Sequence, residues 1–503
     1  MHNGKATNLG DLVDASADLS KTAFIEIGQG GARTRYTHGQ IDALSADFAA
    51  ALQSAGFAPG QNVAIIARNS VPFLVAYLGI MRAGLVAVPI SYRQPAAMIA
   101  HCLRDSDCKL IVSDGVVPFE AGAVPVLPIG RDMADRIPGA RPDRSFKPFA
   151  NRPRDVAMVL YTSGSTGAPK GVELSHESQL FSLSVFEPLR PFVTRQVMSI
   201  AAPLYHMNGL SLSKLALLMN STVVLFPTFD AEQVIRAIPE FRIGWLTGIP
   251  TMYALMAERP DVLDQVDLSS VERITLGSSP LTDNLIALLK RHFPKAIYTN
   301  SYGTTEHGPS AFAPHPAGIP TPQLSLGCTA PGVETRLVGG PDENFGVLEV
   351  RSPANMNGYR NLPDVTAKRL VDGWYHTGDL FRRDENGFHF FVGREDDMFV
   401  CNGENVHPVD VERLLERHPA IHQACVVPVD DPVRGAAPVA FVTGDESATE
   451  AEIQRFYREN GRAVECPRRV IFVKTLPLAG TNKVDRKAVS EWTRDVDVAR
   501  KAS

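Results

Sequence analysis

The residues with the most readable chemistry run Tyr161-Thr162-Ser163-Gly164-Ser165-Thr166-Gly167-Ala168-Pro169-Lys170-Gly171-Val172, and eight of these twelve are Ser, Thr, Gly or Lys. Glycines let backbone N–H groups approach an anion, hydroxyls donate further hydrogen bonds, and a lysine adds a point charge. The set predicts a phosphate cradle. It is not a Walker A loop, because the Gly-Lys-Ser/Thr ending is missing. Two later stretches carry complementary groups. In Tyr302-Gly303-Thr304-Thr305-Glu306 a hydroxyl can hold a phosphate oxygen, and a carboxylate can give Mg2+ a hard oxygen ligand. In His376-Thr377-Gly378-Asp379-Leu380 a carboxylate can accept from two ribose hydroxyls. Taken singly, each of these is also what a flexible or solvated surface loop looks like.

These loops need elements to position them. The apolar run Val156–Tyr161 reads as a buried strand leading into the first loop. Upstream, Asn62–Ala67 and Lys109–Val112 read as strands, and Thr37-His38-Gly39-Gln40 opens a helix with a capping pattern. Helical and strand signals alternate, which predicts a mostly parallel sheet covered by helices. Val71–Ile90 is apolar and long enough to span a bilayer. It contains Pro72, Arg82, Gly84 and Pro89, so it reads instead as a helix from about Pro72 to Arg82 and a strand Leu85–Pro89. Gly28-Gln29-Gly30-Gly31 has no helix after it and reads as a hairpin turn, not a dinucleotide site. Leu276-Gly277-Ser278-Ser279 ends a strand, so it is not a phosphopantetheine attachment site.

At 503 residues, two or more domains are expected. A net charge of −5 gives no support for nucleic-acid or anionic-membrane binding through the overall field. The six cysteines, at 102, 108, 328, 401, 425 and 466, include no Cys-x-x-Cys pair, so neither zinc nor a disulfide framework is suggested. Residues 1–10 do not look like a signal peptide. A cytoplasmic protein with reduced thiols is the expectation.

The loop at 161–172 resembles the signature loop of the adenylate-forming superfamily, which holds acyl-CoA synthetases, luciferases and the adenylation domains of peptide synthetases. Tyr302–Glu306, Asp372–Leu380, Gly393-Arg394 and the C-terminal Leu476–Arg486 follow in family order. The resemblance implies an α/β fold. A large multi-sheet N-terminal domain, 1–394, has mostly parallel, helix-covered sheets; a small mobile α+β C-terminal domain, 395–503, follows, with the hinge at Asp396. It implies ATP, Mg2+ and coenzyme A as cofactors and substrates, and a small carboxylic acid as partner. It implies no nucleic acid and no integral membrane segment. A homodimer stays open.

The roles implied residue by residue are these. ATP or AMP is held by Thr162, Ser163, Gly164, Ser165, Thr166, Gly167 and Lys170, by Gly277, Ser278 and Ser279, by Tyr302, Gly303 and Thr304, and by Asp379 and Arg394. Tyr302 packs on adenine, and Asp379 with Arg394 meets the ribose. Thr305 contacts phosphate, Glu306 faces the metal, His206 lines the carboxylate site, and Lys483 reaches into the active site. The acyl pocket takes Phe181, Phe186, His206, Thr247, Ser278, Ser301, His307 and Gly308. Several are small or polar, which favours an aromatic or short-to-medium acid. A dicarboxylate stays open, with His307 or Arg190 to meet a second charge. The thiol tunnel takes Gly403, Glu404 and Asn405.

The chain departs from the family in two places. Asn402 stands where a glycine is usual. Val464-Glu465-Cys466-Pro467 lacks the usual Tyr and Lys, with Arg468 and Arg469 as substitutes for holding CoA phosphates. The implied reaction is AMP-forming acid–CoA ligation in two steps. The alternatives are a stand-alone ligase loading a carrier protein, a luciferase-like oxygenase, and a non-enzymatic AMP-binding protein.

Overall fold

The computed structural model describes residues 7–141, 146, 149–162, 168–279, 281–309, 311–431, 434–479 and 483–495. Two seven-stranded sheets dominate. In the first, Ile297–Ser301, Arg273–Gly277, Trp245–Gly248, Val197–Ile200, Thr222–Leu225 and Thr22–Ile27 run parallel, and Arg33–Thr37 closes the edge antiparallel. The 3-10 turn Gln29–Gly31 joins the last pair, as the hairpin reading expects. In the second sheet, Val156–Thr162, Val86–Pro89, Asn62–Ile66, Cys108–Ser113 and Val126–Pro128 run parallel, with Lys170–Ser175 and Gly358–Tyr359 antiparallel at one end. Every residue of Asn62–Ile66 and Val86–Pro89 is buried, as parallel strands covered on both faces must be.

The helices His38–Ser54 and Val71–Arg82 belong to the largest core. The first starts with the predicted capping box, Thr37 with Gln40. In the second, Ser70 caps the N-terminus and Gly84, at φ 82°, turns the chain into Val86–Pro89. No helix among the described residues is long and apolar enough to cross a membrane. Arg82 resolves the ambiguity of that apolar stretch: buried, it donates to the Gly10 and Asp42 carbonyls and to Ser45 Oγ, and pairs with Asp11 and Asp42.

A five-stranded antiparallel sheet comes next, with Trp374–Arg383 paired to Phe345–Arg351 and His389–Arg394. The C-terminal unit is a second five-stranded sheet with its own cores. In it Ile421–Asp431 and Gly435–Gly444 are antiparallel, and Arg469–Phe472 lies parallel to the latter. The fold is thus a large N-terminal part with mostly parallel sheets and a smaller α+β C-terminal part. Ligands of open parallel sheets gather beyond the carboxyl ends of the strands. The loops after Ile200, Gly248, Gly277 and Ser301 leave from such ends.

Gly79 sets how closely the two core helices approach. A Cβ there would stand 2.8 Å from the Ser45 carbonyl oxygen and 2.9 Å from Phe48 Cδ1. Helix propensity alone favours Gly79→Ala by about 1 kcal/mol. Overpacking against a backbone carbonyl opposes it by about 1–3 kcal/mol. The expected outcome is a net loss, read as a lower urea midpoint. A raised midpoint would show that the helices can part freely.

Candidate active site

One cleft of about 2640 Å³ collects residues from all parts of the chain. Thr162, Lys170, His206, Thr247, Ser278, Ser279, Ser301, Tyr302, Gly303, Thr304, Thr305, Glu306, Asp379, Arg394, Asp396 and Lys483 all line it. Phe186 lines it too. Ser163, Gly164, Ser165, Thr166 and Gly167 lie outside the described residues.

Asp379 sits opposite Arg394 across adjacent strands. Its Oδ1 accepts from Arg394 Nη1 at 2.9 Å, and its Oδ2 accepts from the Tyr302 hydroxyl at 2.5 Å. Burial raises the Asp379 pKa, and Arg394 and Tyr302 oppose that rise. Gly378, at φ 73°, precedes it; a Cβ there would come within 3.0 Å of Arg369 Nη1. The Tyr302 ring packs edge-on against Phe381, centroids 4.9 Å apart, and lies beside Phe312 at 5.9 Å.

Tyr302–Glu306 leaves the carboxyl end of Ile297–Ser301. The turn is tight: a Cβ on Gly303 would stand 2.6 Å from the Gly308 carbonyl oxygen. Glu306 Oε1 accepts from the Tyr359 hydroxyl at 2.9 Å, and Lys170 Nζ lies 5.4 Å from the same tyrosine's ring centre. Tyr359 therefore joins the phosphate-loop lysine to the carboxylate of the second motif. Nothing in the local spelling around Tyr359 marked it. Its pairing with Val172, on the strand that leaves that loop, is the signal, and only the fold displays it.

His206 precedes the helix Met207–Leu218, and its Nε2 is buried without a hydrogen-bond partner. Burial pushes its pKa down to about 4, and the charges of Lys483 and Arg93 push the same way. The ring is neutral near neutral pH. Lys483 arrives from the C-terminal part. Burial lowers its pKa, Asp379 raises it, and Arg394 lowers it. The segment carrying Lys483 is fixed through Arg486, whose guanidinium donates to Glu412 at 2.6 and 3.1 Å and lies 3.6 Å from Asp397. Arg486 and Glu412 had no sequence signal as a pair, being 74 residues apart.

Several expected residues stand elsewhere. Phe181 packs in a side core under Gly332, not on the cleft. His307 is 1 % exposed and sits behind Tyr302 and Tyr375, centroids 5.5 and 5.9 Å away. Gly308 closes the turn by donating its N–H to the Thr304 carbonyl. Gly277 lies beneath the floor, where a Cβ would meet Ser301 Oγ at 2.1 Å. Arg190 pairs with Glu187. None of these five lines the cleft. Beside four of them an adjacent residue lines it instead: Leu189, Ser278, Glu306 and Pro309. Gly403, Glu404 and Asn405 are exposed and also lie off the cleft. They belong to a hairpin between Phe399–Cys401 and Glu404–Val406. Asn402 (φ 52°) and Gly403 (φ 79°) both take the left-handed conformation that such two-residue turns require. Glu404 pairs with Arg462.

His307 yields a pH prediction. Burial holds its pKa at about 4, below the ordinary 6.5. As pH falls the unfolded chain takes up this proton and the folded chain does not, so stability is full above the unfolded value and is lost toward the folded one. Between about pH 7.5 and about pH 5 that loss is on the order of 2 kcal/mol for this group. In His307→Phe the difference in urea stability between the two pH values should shrink by that amount. An unchanged difference would mean that His307 titrates normally.

Comparison with known proteins agrees with this arrangement. A family model described as AMP-binding enzyme matches residues 14–360, and one described as AMP-binding enzyme C-terminal domain matches residues 410–483. Feruloyl-CoA synthase of Amycolatopsis sp is 30 % identical, over 90 % of this chain and 92 % of its own length. Fatty acid–[acyl-carrier-protein] ligase ScoC of Streptomyces coeruleorubidus is 30 % identical, over 93 % of each chain. Among solved structures, ATP-bound MatB from Rhodopseudomonas palustris superposes with a TM-score of 0.86 at 26 % identity, covering 97 % of this chain and 99 % of that one. With the order of motifs, the two-part fold and these matches in agreement, the chain belongs to the AMP-binding enzyme family of adenylate-forming ligases.

Proposed function

We propose that this chain is an ATP-dependent, AMP-forming carboxylic acid–CoA ligase, working through two domains, 1–394 and 395–503, that pivot at Asp396. The observation that carries the reading is Lys483, from the C-terminal part, in one cleft with His206, Thr305, Glu306, Asp379 and Arg394. A carboxylate is a poor electrophile because its charge repels nucleophiles. In the first step a carboxylate oxygen of the acid attacks the α-phosphorus of ATP, and the bond to pyrophosphate breaks. An anion approaches a polyanion, so positive charge near the α-phosphate lowers the barrier. The Lys483 ammonium supplies that charge, the Thr305 hydroxyl holds a phosphate oxygen, and neutral His206 orients the acid without adding charge. Asp379 and Arg394 hold the ribose, with Tyr302 fixing the carboxylate.

Glu306 fits Mg2+. Among the described residues no cluster of three or more acidic, His or Cys side chains surrounds it. One or two carboxylates with substrate phosphates and water are what this ion usually takes. When bound there it would neutralise phosphate charge.

In the second step the CoA sulfur attacks the carbonyl carbon of the acyl-adenylate and AMP leaves. Lys483 withdraws, and the 402–405 hairpin turns toward the cleft, a gating motion of recognised kind. An aromatic or short-to-medium acid agrees with a relative named feruloyl-CoA synthase. The six cysteines are all unpaired, which fits a reducing compartment. One observation favours a carrier protein as acceptor instead: Tyr and Lys are missing at 464–467, and Arg469, a candidate substitute, is engaged by Glu450 at 3.0 Å. ScoC is a relative named for that acceptor.

Lys483→Ala is expected to slow acid-dependent ATP–pyrophosphate exchange about 10²- to 10³-fold. It should spare thiolysis of an acyl-adenylate supplied ready-made. Exchange at the wild-type rate would remove Lys483 from the first step. AMP release that needs CoA supports the ligase; release that needs a phosphopantetheinyl carrier and ignores CoA moves the assignment to the carrier reading.

A further inference from the structure

The expected partners for a second charge on the acid, His307 and Arg190, do not reach the cleft. Another cation does. Arg273 begins the strand Arg273–Gly277 and lines the same cavity as His206 and Thr305. Side chains alternate along a strand. Ile274 and Leu276 turn to the core formed with Ile286 and Leu289. Arg273 and Thr275 take the opposite face, beside Trp245 and Thr247 on one neighbouring strand and Thr299 and Ser301 on the other.

The bonding on that face leaves donors to spare. Arg273 Nη1 donates to Thr299 Oγ1 at 2.7 Å. Its Nε is buried with no hydrogen-bond partner, and one face of the guanidinium lies 5.0 Å from the Phe192 ring centre. No carboxylate of the described residues forms an ion pair with it; Glu272, its neighbour, pairs with Arg195 at 2.8 Å. Trp245 Nε1 donates to Thr275 Oγ1 at 2.9 Å. Both threonine oxygens therefore accept from a protein N–H, and each keeps its own hydroxyl proton. A partly buried, unpaired guanidinium and two hydroxyl donors on one wall form an environment built for an anion.

We infer that this wall is a second anion subsite, and that the acid activated here carries a second carboxylate at its far end, received by Arg273 with Thr275 and Thr299. The inference rests on the ligase reading and names its substrate class. Thr299 stands two residues before Ser301, where the strand reaches the chemistry, and Arg273 stands level with Ile297. At about 3.3 Å per residue the subsite lies roughly 7–13 Å from that end. Octanedioic acid and 4-carboxycinnamic acid have about that reach. A guanidinium pairs bidentately with a carboxylate, which a neutral phenol or methyl end cannot match.

The test is acid-dependent ATP–pyrophosphate exchange on the full chain, which requires no thiol acceptor. The acids are octanedioic against octanoic, and 4-carboxycinnamic against 4-coumaric and cinnamic. Wild type should favour the diacid of each set at least about 10-fold in kcat/KM, chiefly through KM. Arg273→Leu should lower the diacid-to-monoacid ratio about 10²-fold. Arg273→Lys should keep part of the preference, because it keeps the charge without the fork. Thr299→Val, which removes one hydroxyl and leaves the charge, should lower the ratio in the same direction by a smaller factor, and serves if the leucine variant does not fold. Exchange favouring the monoacids, or a ratio unmoved by Arg273→Leu, would overturn this inference and leave the ligase reading intact. No exchange with any acid would overturn both.

Discussion

The cleft depends on one carboxylate being kept out of water. Asp379 is 4 % exposed, and burial by itself would drive it toward the neutral acid. Arg394 and Tyr302 oppose that drive by taking one oxygen each. Removing one partner of such a buried group commonly costs about 3–5 kcal/mol, because the remaining charge is left uncompensated. The constraint therefore fixes three pieces of chain at once: the loop after Ile297–Ser301, the strand Trp374–Arg383, and the strand His389–Arg394. The last leads directly to Asp396. The field of Asp379 also reaches Lys483 and offsets part of the desolvation of that ammonium.

A second charge centre governs how the C-terminal part presents that lysine. Glu412 receives Arg486 through both oxygens, and one of them also accepts from the Val426 amide at 2.7 Å. Arg486 follows Lys483 by three residues and lies against Asp397. The lysine, the start of the last helix and the end of the connecting segment are thus joined by one guanidinium. Because the group is planar and forked, it fixes direction as well as distance. The loop that carries Lys483 is in this way anchored at its base.

Much of this was legible in the sequence, and the reasons are local. Val71–Arg82 followed by Val86–Pro89 could be read because proline, arginine and glycine punctuate an apolar run in known ways. The Thr37 capping box could be read because both of its partners lie within one helical turn. Asp379, Arg394, Glu306 and Lys483 could be gathered because their spellings match a family. The pocket walls could not be gathered so well. Phe181 and His307 lie close in sequence to residues that do face the cleft, but a helix and a tight turn send neighbours in different directions. Arg273 has no such spelling, and Glu272-Arg273 looks like a pair of surface charges. The alternation Arg273-Ile274-Thr275-Leu276 was the signal, and it means little until the opposite face is known to be covered by Ile286 and Leu289.

The hairpin at Asn402-Gly403 has a consequence for how this protein tolerates change. In the present arrangement its residues touch solvent, while Lys483 of the same C-terminal part lines the cleft. On the two-step reading each surface is idle while the other works. Selection on the complete turnover sees both surfaces, but a screen that reads only the first half sees one. Variants at 402–405 would pass such a screen as silent passengers. A catalogue of tolerated positions drawn from a single half-reaction would therefore describe half of an enzyme.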